Sequence, residues 1–283
     1  MLLQTILRVT VILELAVILF SLIYTSHFSR RMRAIMDSMH TIQKGNYDQK
    51  VNVGGNDELT LLASEFNDLT ERLQNSEEKR RRFVSDASHE LKTPLASIKL
   101  LTDSILQNDM DADTMREFVE DIGSEAERLN RMTAKLLSLT KVDGQPLPEA
   151  ELIRMAPTIR QVAKMLNPVA KKSGISLELE LDGDSTVLIT RDDLYQIVFN
   201  LMENGIKYNR PGGTVSVTLS RSMDLAKLTV ADTGMGIPEE ALSHIFERFY
   251  RVDKARSRQT GGSGLGLAIV RAIVSRNRGE IRG

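Results

Sequence analysis

The chain has 283 residues, and its 37 lysine and arginine side chains nearly balance its 38 aspartate and glutamate side chains. This balance excludes a whole-molecule field that would attract nucleic acid, so we expect no nucleic-acid partner. The absence of cysteine excludes disulfides and thiolate metal sites. The length suggests about two domains. Aromatic residues make up only 5%, which suits long amphipathic helices better than an all-β core.

The first element is an apolar segment over residues 9–24, long enough to cross a bilayer when extended back to Leu2. Arginines at positions 30, 31 and 33 favour an inside C-terminal end. Glu14 opposes this reading because a mid-membrane carboxylate is costly, although it could be neutral or paired with a partner helix. A signal peptide is the alternative, but no Ala-x-Ala cleavage site follows. We predict a transmembrane helix over residues 1–27, in the cell membrane, with the following domains cytoplasmic.

Two stretches of apolar residues at heptad spacing come next, separated by a glycine-containing connector. The seam positions are Met32, Ile35, Met39 and Ile42, then Leu59, Leu62, Phe66, Leu69 and Leu73. Such spacing is typical of helices that pair along an a/d seam. Directly after a membrane helix, this arrangement resembles a HAMP relay domain, and Asp57-Glu58 and Asn67 add to the resemblance. We predict this domain over residues 28–78.

Helical spacing continues through residues 83–105 and, after a polar turn, through residues 118–139. Thr114 and Glu117 predict a capping box at the start of the second helix. The alternative, a calcium loop through Asp109, Asp111 and Asp113, lacks the glycine that its sharp turn requires. Two such helices cannot bury both seams alone, so we expect a homodimer with a four-helix bundle over residues 79–142.

The first of these helices carries His89, followed directly by Glu90 and one turn later by Thr93. His89 and Thr93 share a helical face, and Glu90 could orient or deprotonate the imidazole, leaving the other ring nitrogen as a nucleophile. Pro94 cannot donate a backbone hydrogen bond, so the helix should bend there. A lone histidine would be a surface residue, but residues 83–95 together resemble the phospho-accepting box of sensor histidine kinases.

The chain changes character after residues 143–152, a stretch containing glycine and proline that predicts an interdomain linker. Beyond it, the pattern predicts helices over residues 156–172, 192–208 and 265–276. It also predicts strands over residues 175–181, 186–190, 214–220 and 226–231. This mixture indicates an α+β layered domain over residues 153–283.

Four clusters in this domain suit nucleotide binding. Asn200 and Asn204 share a helical face, where their amide oxygens could hold Mg²⁺ and phosphates beside the charge of Lys207. Asp232 at a strand end can accept a hydrogen bond from an exocyclic amine such as that of adenine, and Gly234 permits close backbone approach.

The third cluster runs over residues 245–251 and leads into basic residues at positions 254, 256 and 258. The fourth, a glycine-rich loop over residues 261–267, opens onto a helix N-terminus and so suits phosphate. Each cluster alone is weak. Together, their order and spacing resemble the ATP-binding α+β sandwich of histidine kinases, gyrase and Hsp90-type ATPases.

The resemblance implies a sensor protein-histidine kinase of a two-component system that uses ATP and Mg²⁺. His89 would be the phospho-acceptor, Glu90 its base, and Thr93 would place water when a phosphorylated response regulator is dephosphorylated. Asn200 and Asn204 would coordinate Mg²⁺. Asp232 would read adenine, and Phe246 and Phe249 would seat a mobile lid over residues 233–263. The remaining nucleotide contacts would be Lys207, Tyr208, Gly234, Gly236, Arg251, Gly262, Gly264, Leu265 and Gly266.

One position discriminates within that superfamily. Hydrolysing relatives place a water-activating glutamate four residues before the magnesium asparagine, whereas this chain has Asn200, which cannot act as a general base. The γ-phosphate should therefore go to His89 rather than to water, through positioning and charge neutralisation. A gyrase- or Hsp90-like ATPase is disfavoured for this reason.

Both ends of the chain depart from the family pattern. Family members usually carry a sensor between two membrane helices and continue past the last helix with further β structure. We therefore expect a chain that senses within the membrane or begins at the second membrane helix, and that lacks a C-terminal strand. The alternative function is a kinase-impaired phosphatase or partner-binding signalling module.

Overall fold

A computed structural model of the chain describes residues 2–144, 149–182, 185–222, 225–252 and 262–283. The chain divides into two compact units, Met1–Ser85 and Asp86–Gly283. The helices are α1 (Leu2–Gln43), α2 (Glu58–Gln107), α3 (Ala112–Gly144), α4 (Met155–Lys172), α5 (Arg191–Lys207) and α6 (Gly266–Arg276), with a 3₁₀ turn at Glu239–Ala241. The strands are β1 (Glu151–Arg154), β2 (Ser176–Leu181), β3 (Thr186–Ile189), β4 (Thr214–Ser222) and β5 (Leu225–Asp232).

Helix α1 is continuous over 42 residues and contains the apolar segment at its N-terminal end. Among the described residues, it is the one helix that is long and apolar enough to cross a membrane. The large apolar side chains of this segment are exposed, from Leu2 through Tyr24. Length and composition therefore agree with the predicted spanning helix.

The core of the first unit lies between α1 and the start of α2. It consists of Ile35, Val51, Val53, Leu59 and Ala63, with Met32 and Phe66 packed against it. The extended connector is held by Asn67, whose amide donates to the Val51 carbonyl and accepts from the Val51 N–H, both at 2.9 Å. The connector thereby contributes two of the five core side chains. Leu62, Leu69 and Leu73 of the predicted seam remain exposed in the single chain.

An ion pair joins the two helices of this unit. Arg31 on α1 donates from both terminal nitrogens to the Asp57 carboxylate, one of them at 2.6 Å, and reaches the Thr60 hydroxyl at 3.2 Å. The Arg31 guanidinium holds the pKa of Asp57 well below its usual range. Gly55 makes room for this contact, because a Cβ there would lie 2.7 Å from the Arg31 Nη2 atom.

Helix α2 runs without interruption over 50 residues and carries the second heptad stretch, the His89 box and Pro94. The cap of α3 differs from expectation. Asp111 accepts from the Thr114 N–H and the Thr114 hydroxyl, both at 2.8 Å, so Asp111 is the N-cap and Thr114 lies inside the helix. The predicted Thr114–Glu117 capping box is therefore wrong.

The second unit ends in an α+β layered domain with a mixed sheet, which is the fold class that the sequence predicts. Strand β4 pairs in parallel with β2 and antiparallel with β5, and β1 pairs antiparallel with β3. Residues 151 and 152, assigned to the linker from sequence, form the first half of β1. Apolar side chains dominate the core between sheet and helices, with Ile159, Val162, Leu194, Val198, Met202, Val215, Val217 and Leu219 among its buried residues.

A buried ion pair joins α5 to α6. The Arg276 Nη2 atom lies 2.7 and 2.6 Å from the two carboxylate oxygens of Asp193, and both side chains are almost fully buried. Asp193 is in the first turn of α5 and Arg276 is the last residue of α6, so each charge also opposes the partial charge of its own helix end.

We expect Arg276→Met to destabilise the packing of α5 on α6 by about 3 kcal/mol, because it leaves the Asp193 carboxylate buried and unpaired. Hydrogen exchange of the α5 and α6 backbone amides would measure the loss. The control is Arg271→Met on the same helix, where the side chain is exposed and exchange should not change. Adding Asp193→Asn to Arg276→Met should restore part of the protection, because the buried charge is then removed. Equal exchange in Arg276→Met and Arg271→Met would contradict the ion-pair explanation.

Candidate functional site

Helix α5 places two asparagines against the start of α6. Asn200 is 4% exposed, and its Nδ2 atom donates to the Gln196 carbonyl at 2.8 Å. That bond leaves its Oδ1 atom on the side of Gly266, where the Cβ of an alanine would lie 3.1 Å from Asn200 Oδ1 and 3.7 Å from Asn204 Nδ2. Glycine at position 266 therefore lets the N-terminus of α6 meet both amides.

The glycine-rich loop is held by the segment that precedes it. The Phe249 N–H donates to the Gly264 carbonyl at 2.9 Å. Gly264 has a φ of +66°, and a Cβ there would lie 2.8 Å from the Phe249 backbone. Only glycine meets both conditions without strain. Gly261 and the basic residues at 254, 256 and 258 lie outside the described residues, so the predicted lid is described only at its two ends.

Asp232 closes the opposite side of the site. Its Oδ1 atom accepts from the Gly234 N–H at 2.8 Å, and a Cβ on Gly234 would lie 2.4 Å from the Tyr208 carbonyl. The end of β5 thus lies directly against the end of α5. Gly205 has a packing reason that the sequence did not show: a Cβ there would lie 3.1 Å from Val215, so glycine brings α5 close to β4.

Two residues near the ends of α5 and β5 were not predicted from the sequence as part of the site. Asn209 donates to the Thr214 carbonyl at 3.1 Å, and the Thr233 hydroxyl accepts from the Thr214 N–H at 2.9 Å. Together they hold the loop after α5 against the end of β5. Their only signal in the sequence was adjacency, since Asn209 follows Tyr208 and Thr233 follows Asp232.

The other predicted nucleotide residues line the loops around α6. Leu265 is completely buried and directly precedes the helix, and Gly262 is buried as well. Phe246 is half-buried after the 3₁₀ turn. Gly236 has a φ of +71° in the loop that follows Asp232. These residues belong to the two chain segments that follow β5 and precede α6.

Lys207 lies in a cluster of positive charge. The pKa of Lys207 is lowered to about 8, mainly by burial; Glu203 opposes this shift, and the neighbouring cations Lys135, Arg251 and Arg131 add to it. The Lys207 ammonium also lies 5.6 Å from the centre of the Tyr208 ring. Two of these cations come from α3, so both domains of the second unit contribute to the field at Lys207.

Helix α3 touches α5 directly. Ser138 and Gln196 are joined by hydrogen bonds of 2.8–3.0 Å, and Lys135 lies 3.3 Å from the Glu203 carboxylate. Gln196 and Glu203 are on the same helix as the two asparagines. The helical hairpin is therefore packed against the helix that carries the candidate site.

The His89 box meets this domain through Arg251. His89 is exposed on α2, and the Thr93 hydroxyl bonds the His89 backbone carbonyl at 3.4 Å. Arg251 Nη1 lies 3.5 Å from Glu90 Oε1, and the Arg251 side chain is 5% exposed. In the described part of the chain, Glu90 makes no hydrogen bond to His89. The structure thus brings Glu90 to Arg251 and not to the imidazole.

Three family descriptions match successive parts of the chain. Residues 23–75 match the HAMP domain, and residues 79–145 match the His Kinase A (phospho-acceptor) domain. Residues 189–282 match the family described as histidine kinase-, DNA gyrase B-, and HSP90-like ATPase. The order of the matches is that of the predicted domains.

Two similar proteins are both named as histidine kinases. The Sensor-like histidine kinase SenX3 of Mycolicibacterium smegmatis is 36% identical over 204 residues, which is 72% of this chain and 53% of SenX3. The Signal transduction histidine-protein kinase BaeS of Escherichia coli is 32% identical over 257 residues, 88% of this chain and 53% of BaeS. The chain therefore spans about half the length of these relatives.

A solved structure supports the fold. Histidine kinase ThkA, in complex with response regulator protein TrrA, superposes with a TM-score of 0.59 and 21% sequence identity, covering 74% of this chain and 60% of that one. The helical hairpin followed by the α+β domain is thus an arrangement known from histidine kinases.

We expect Gly264→Ala to destabilise the contact between Gly264 and Phe249 by about 1–3 kcal/mol, because alanine would be forced into the left-handed region. Hydrogen exchange at the start of α6 should rise, and ATP should bind more weakly. Gly123→Ala on α3 is the control, since a Cβ there meets nothing within 4 Å. Unchanged exchange and ATP affinity in Gly264→Ala would contradict the assignment of this loop.

Proposed function

Because the chain belongs to the sensor histidine kinases of two-component systems, we propose that it transfers the γ-phosphoryl group of ATP to His89 and then to a response-regulator aspartate. The observation that carries this proposal is Arg251. Its guanidinium belongs to the ATPase-type domain and contacts the residue next to an exposed histidine. Donor site and acceptor helix are thereby within reach in one compact unit.

The donor site has the chemistry to hold Mg²⁺ with the nucleotide. Mg²⁺ prefers oxygen ligands and binds with substrate phosphates rather than in an all-protein cage. The free side of Asn200 faces the start of α6, where phosphates would lie, and the Asn204 amide is on the same side, where a flip of the amide presents its oxygen. We assign both residues as magnesium ligands. The ion, when bound, neutralises charge on the phosphates.

The remaining contacts follow from position and charge. The N-terminus of α6 and the Gly264–Gly266 turn offer backbone N–H groups to phosphates. Lys207 supplies positive charge. The second carboxylate oxygen of Asp232, the one not engaged by Gly234, can accept from the adenine amino group. Asn200 carries an amide where a base would be needed, so the site holds ATP without activating water.

His89 is the nucleophile in this proposal. An imidazole nitrogen forms a bond to the γ-phosphorus while the bond from that phosphorus to the β–γ bridging oxygen breaks, and ADP leaves. Glu90 takes the proton from the other ring nitrogen, so the attacking nitrogen presents its lone pair to the phosphorus. Thr93 lies one turn from His89 on the same face. It places water for a separate phosphatase reaction, in which the phosphoryl group of the regulator aspartate is transferred to water and leaves as inorganic phosphate.

The partners follow from exposed surfaces and from the relatives. We assign a second copy of the chain to the exposed heptad seam of Leu62, Leu69 and Leu73. We assign a response regulator to the exposed helix around His89, in line with the ThkA–TrrA complex. Helix α1 attaches the chain to the membrane, with the domains after Arg33 in the cytoplasm. The kinase-impaired alternative is not favoured, because the three domain matches follow one another in order.

Incubation of the full chain in membranes with ATP labelled at the γ-phosphate should give protein-bound label that is acid-labile and alkali-stable. His89→Gln should abolish the label and retain ATP binding, because only the nucleophile is lost. His40→Gln is the control and should label normally. Label that persists in His89→Gln, or sustained ATP hydrolysis without a phosphohistidine, would falsify the kinase proposal.

ATP affinity should depend on pH through Lys207. Its ammonium is charged below a pKa of about 8, and the phosphates favour the charged form, so affinity should fall as pH rises from about 7 to 9. Lys207→Arg keeps its charge in this range and should lose the dependence. Calorimetric titrations at constant salt measure the ATP affinity of the unchanged chain and of Lys207→Arg at each pH. If the two affinities depend on pH in the same way, Lys207 is not part of the site.

A further inference from the structure

Arg251 has unused binding capacity. Its side chain is 5% exposed, and Nη1 contacts Glu90 at 3.5 Å, a long distance for an ion pair. Its Nε and Nη2 atoms are buried and have no hydrogen-bond partner among the described residues. Leaving buried charged donors unpaired is costly, so this guanidinium is poised to take a further, better acceptor.

Glu90 has one carboxylate and two competing partners. Successive residues of an α-helix do not face each other, so the Glu90 carboxylate must turn toward His89 to act on it. In the structure it contacts Arg251 instead, on a neighbouring domain. While this contact persists, the carboxylate is not on the imidazole.

The surroundings of Arg251 favour an incoming anion over Glu90 alone. Arg251, Lys135 and Arg131 all place positive charge near Lys207, and the neighbouring Glu203 carboxylate is already paired with Lys135. A polyphosphate offers several oxygens to the Arg251 fork, whereas Glu90 offers one contact of 3.5 Å.

We propose that Arg251 is a positioning residue that exchanges partners: without nucleotide it holds the Glu90 carboxylate away from His89, and with nucleotide it binds phosphate and releases Glu90. This inference rests on the proposed function. It links the base that serves the acceptor histidine to the arrival of the phosphoryl donor. It also has a thermodynamic consequence: Glu90 and ATP compete for the Arg251 guanidinium, and such coupling is reciprocal. Glu90 must then weaken ATP binding, and only through Arg251.

The test is a double-mutant cycle on ATP affinity, measured by calorimetry with Mg²⁺ on the full chain in nanodiscs. Glu90→Gln should tighten ATP binding about three- to fivefold, the range of a partly exposed ion pair. Arg251→Gln should weaken binding, and adding Glu90→Gln to it should change nothing further. Glu120→Gln is the matched control, because it removes an exposed carboxylate from the same hairpin, outside the site.

Four outcomes would overturn the exchange: no effect of Glu90→Gln, weaker binding in Glu90→Gln, equal tightening with and without Arg251, or equal tightening in Glu120→Gln. If Arg251→Gln binds too weakly to titrate, Arg251→Lys replaces it. Lysine lacks the two further donors, so Glu90→Gln should then tighten binding less than it does beside arginine. A chain that binds no ATP refutes the proposed function, whereas one that binds ATP without this coupling refutes only the exchange.

Discussion

The close antiparallel packing of α5 on α6 is the constraint on which the candidate site depends. At one end, the buried Asp193–Arg276 pair joins the start of α5 to the end of α6. Further along, Asn200 lies beneath Gly266 at the start of α6. A site of this kind needs its backbone N–H groups and its amide oxygens close enough together to act on the same phosphate group. Because the ion pair holds the far ends together, the approach at Gly266 keeps its spacing without a bound ligand.

Helix α5 carries the two asparagines of the site and also contacts the sheet and helix α3. Gly205 brings it against β4, and Leu194, Val198 and Met202 are buried with the sheet. Gln196 and Glu203 face α3. A rigid helix transmits a displacement from one of these contacts to the others, since packed interiors resist compression. Movement of the hairpin and occupancy of the nucleotide site therefore act on one common element.

Local patterns predicted most of the elements, and the misses have identifiable causes. In the C-terminal domain, the helices and β2–β5 follow apolar periodicity, and their bounds agree within two residues. The helical stretches predicted over residues 83–105 and 118–139 are instead parts of the longer helices α2 and α3. Strand β1 has four residues of which only Ile153 is buried, so it carries no alternation to detect. At the start of α3 several acidic and hydroxyl residues compete, and the cap goes to Asp111. The Glu90–Arg251 contact joins residues 161 positions apart, and no local rule encodes such a pairing.

The positive cluster around Lys207 pairs with carboxylates where the hairpin meets the α+β domain, and in the proposed function it also binds the nucleotide phosphates. Lys207, Arg251, Lys135 and Arg131 repel one another, and burial of Lys207 adds to the cost. Glu203 and Glu90 offset part of this cost by pairing with Lys135 and Arg251, which also packs the hairpin against the domain. In the proposed site, an arriving triphosphate would offset this cost more completely and would compete for the same cations. Docking of the hairpin and binding of nucleotide are therefore coupled by charge alone, before any change of shape is considered.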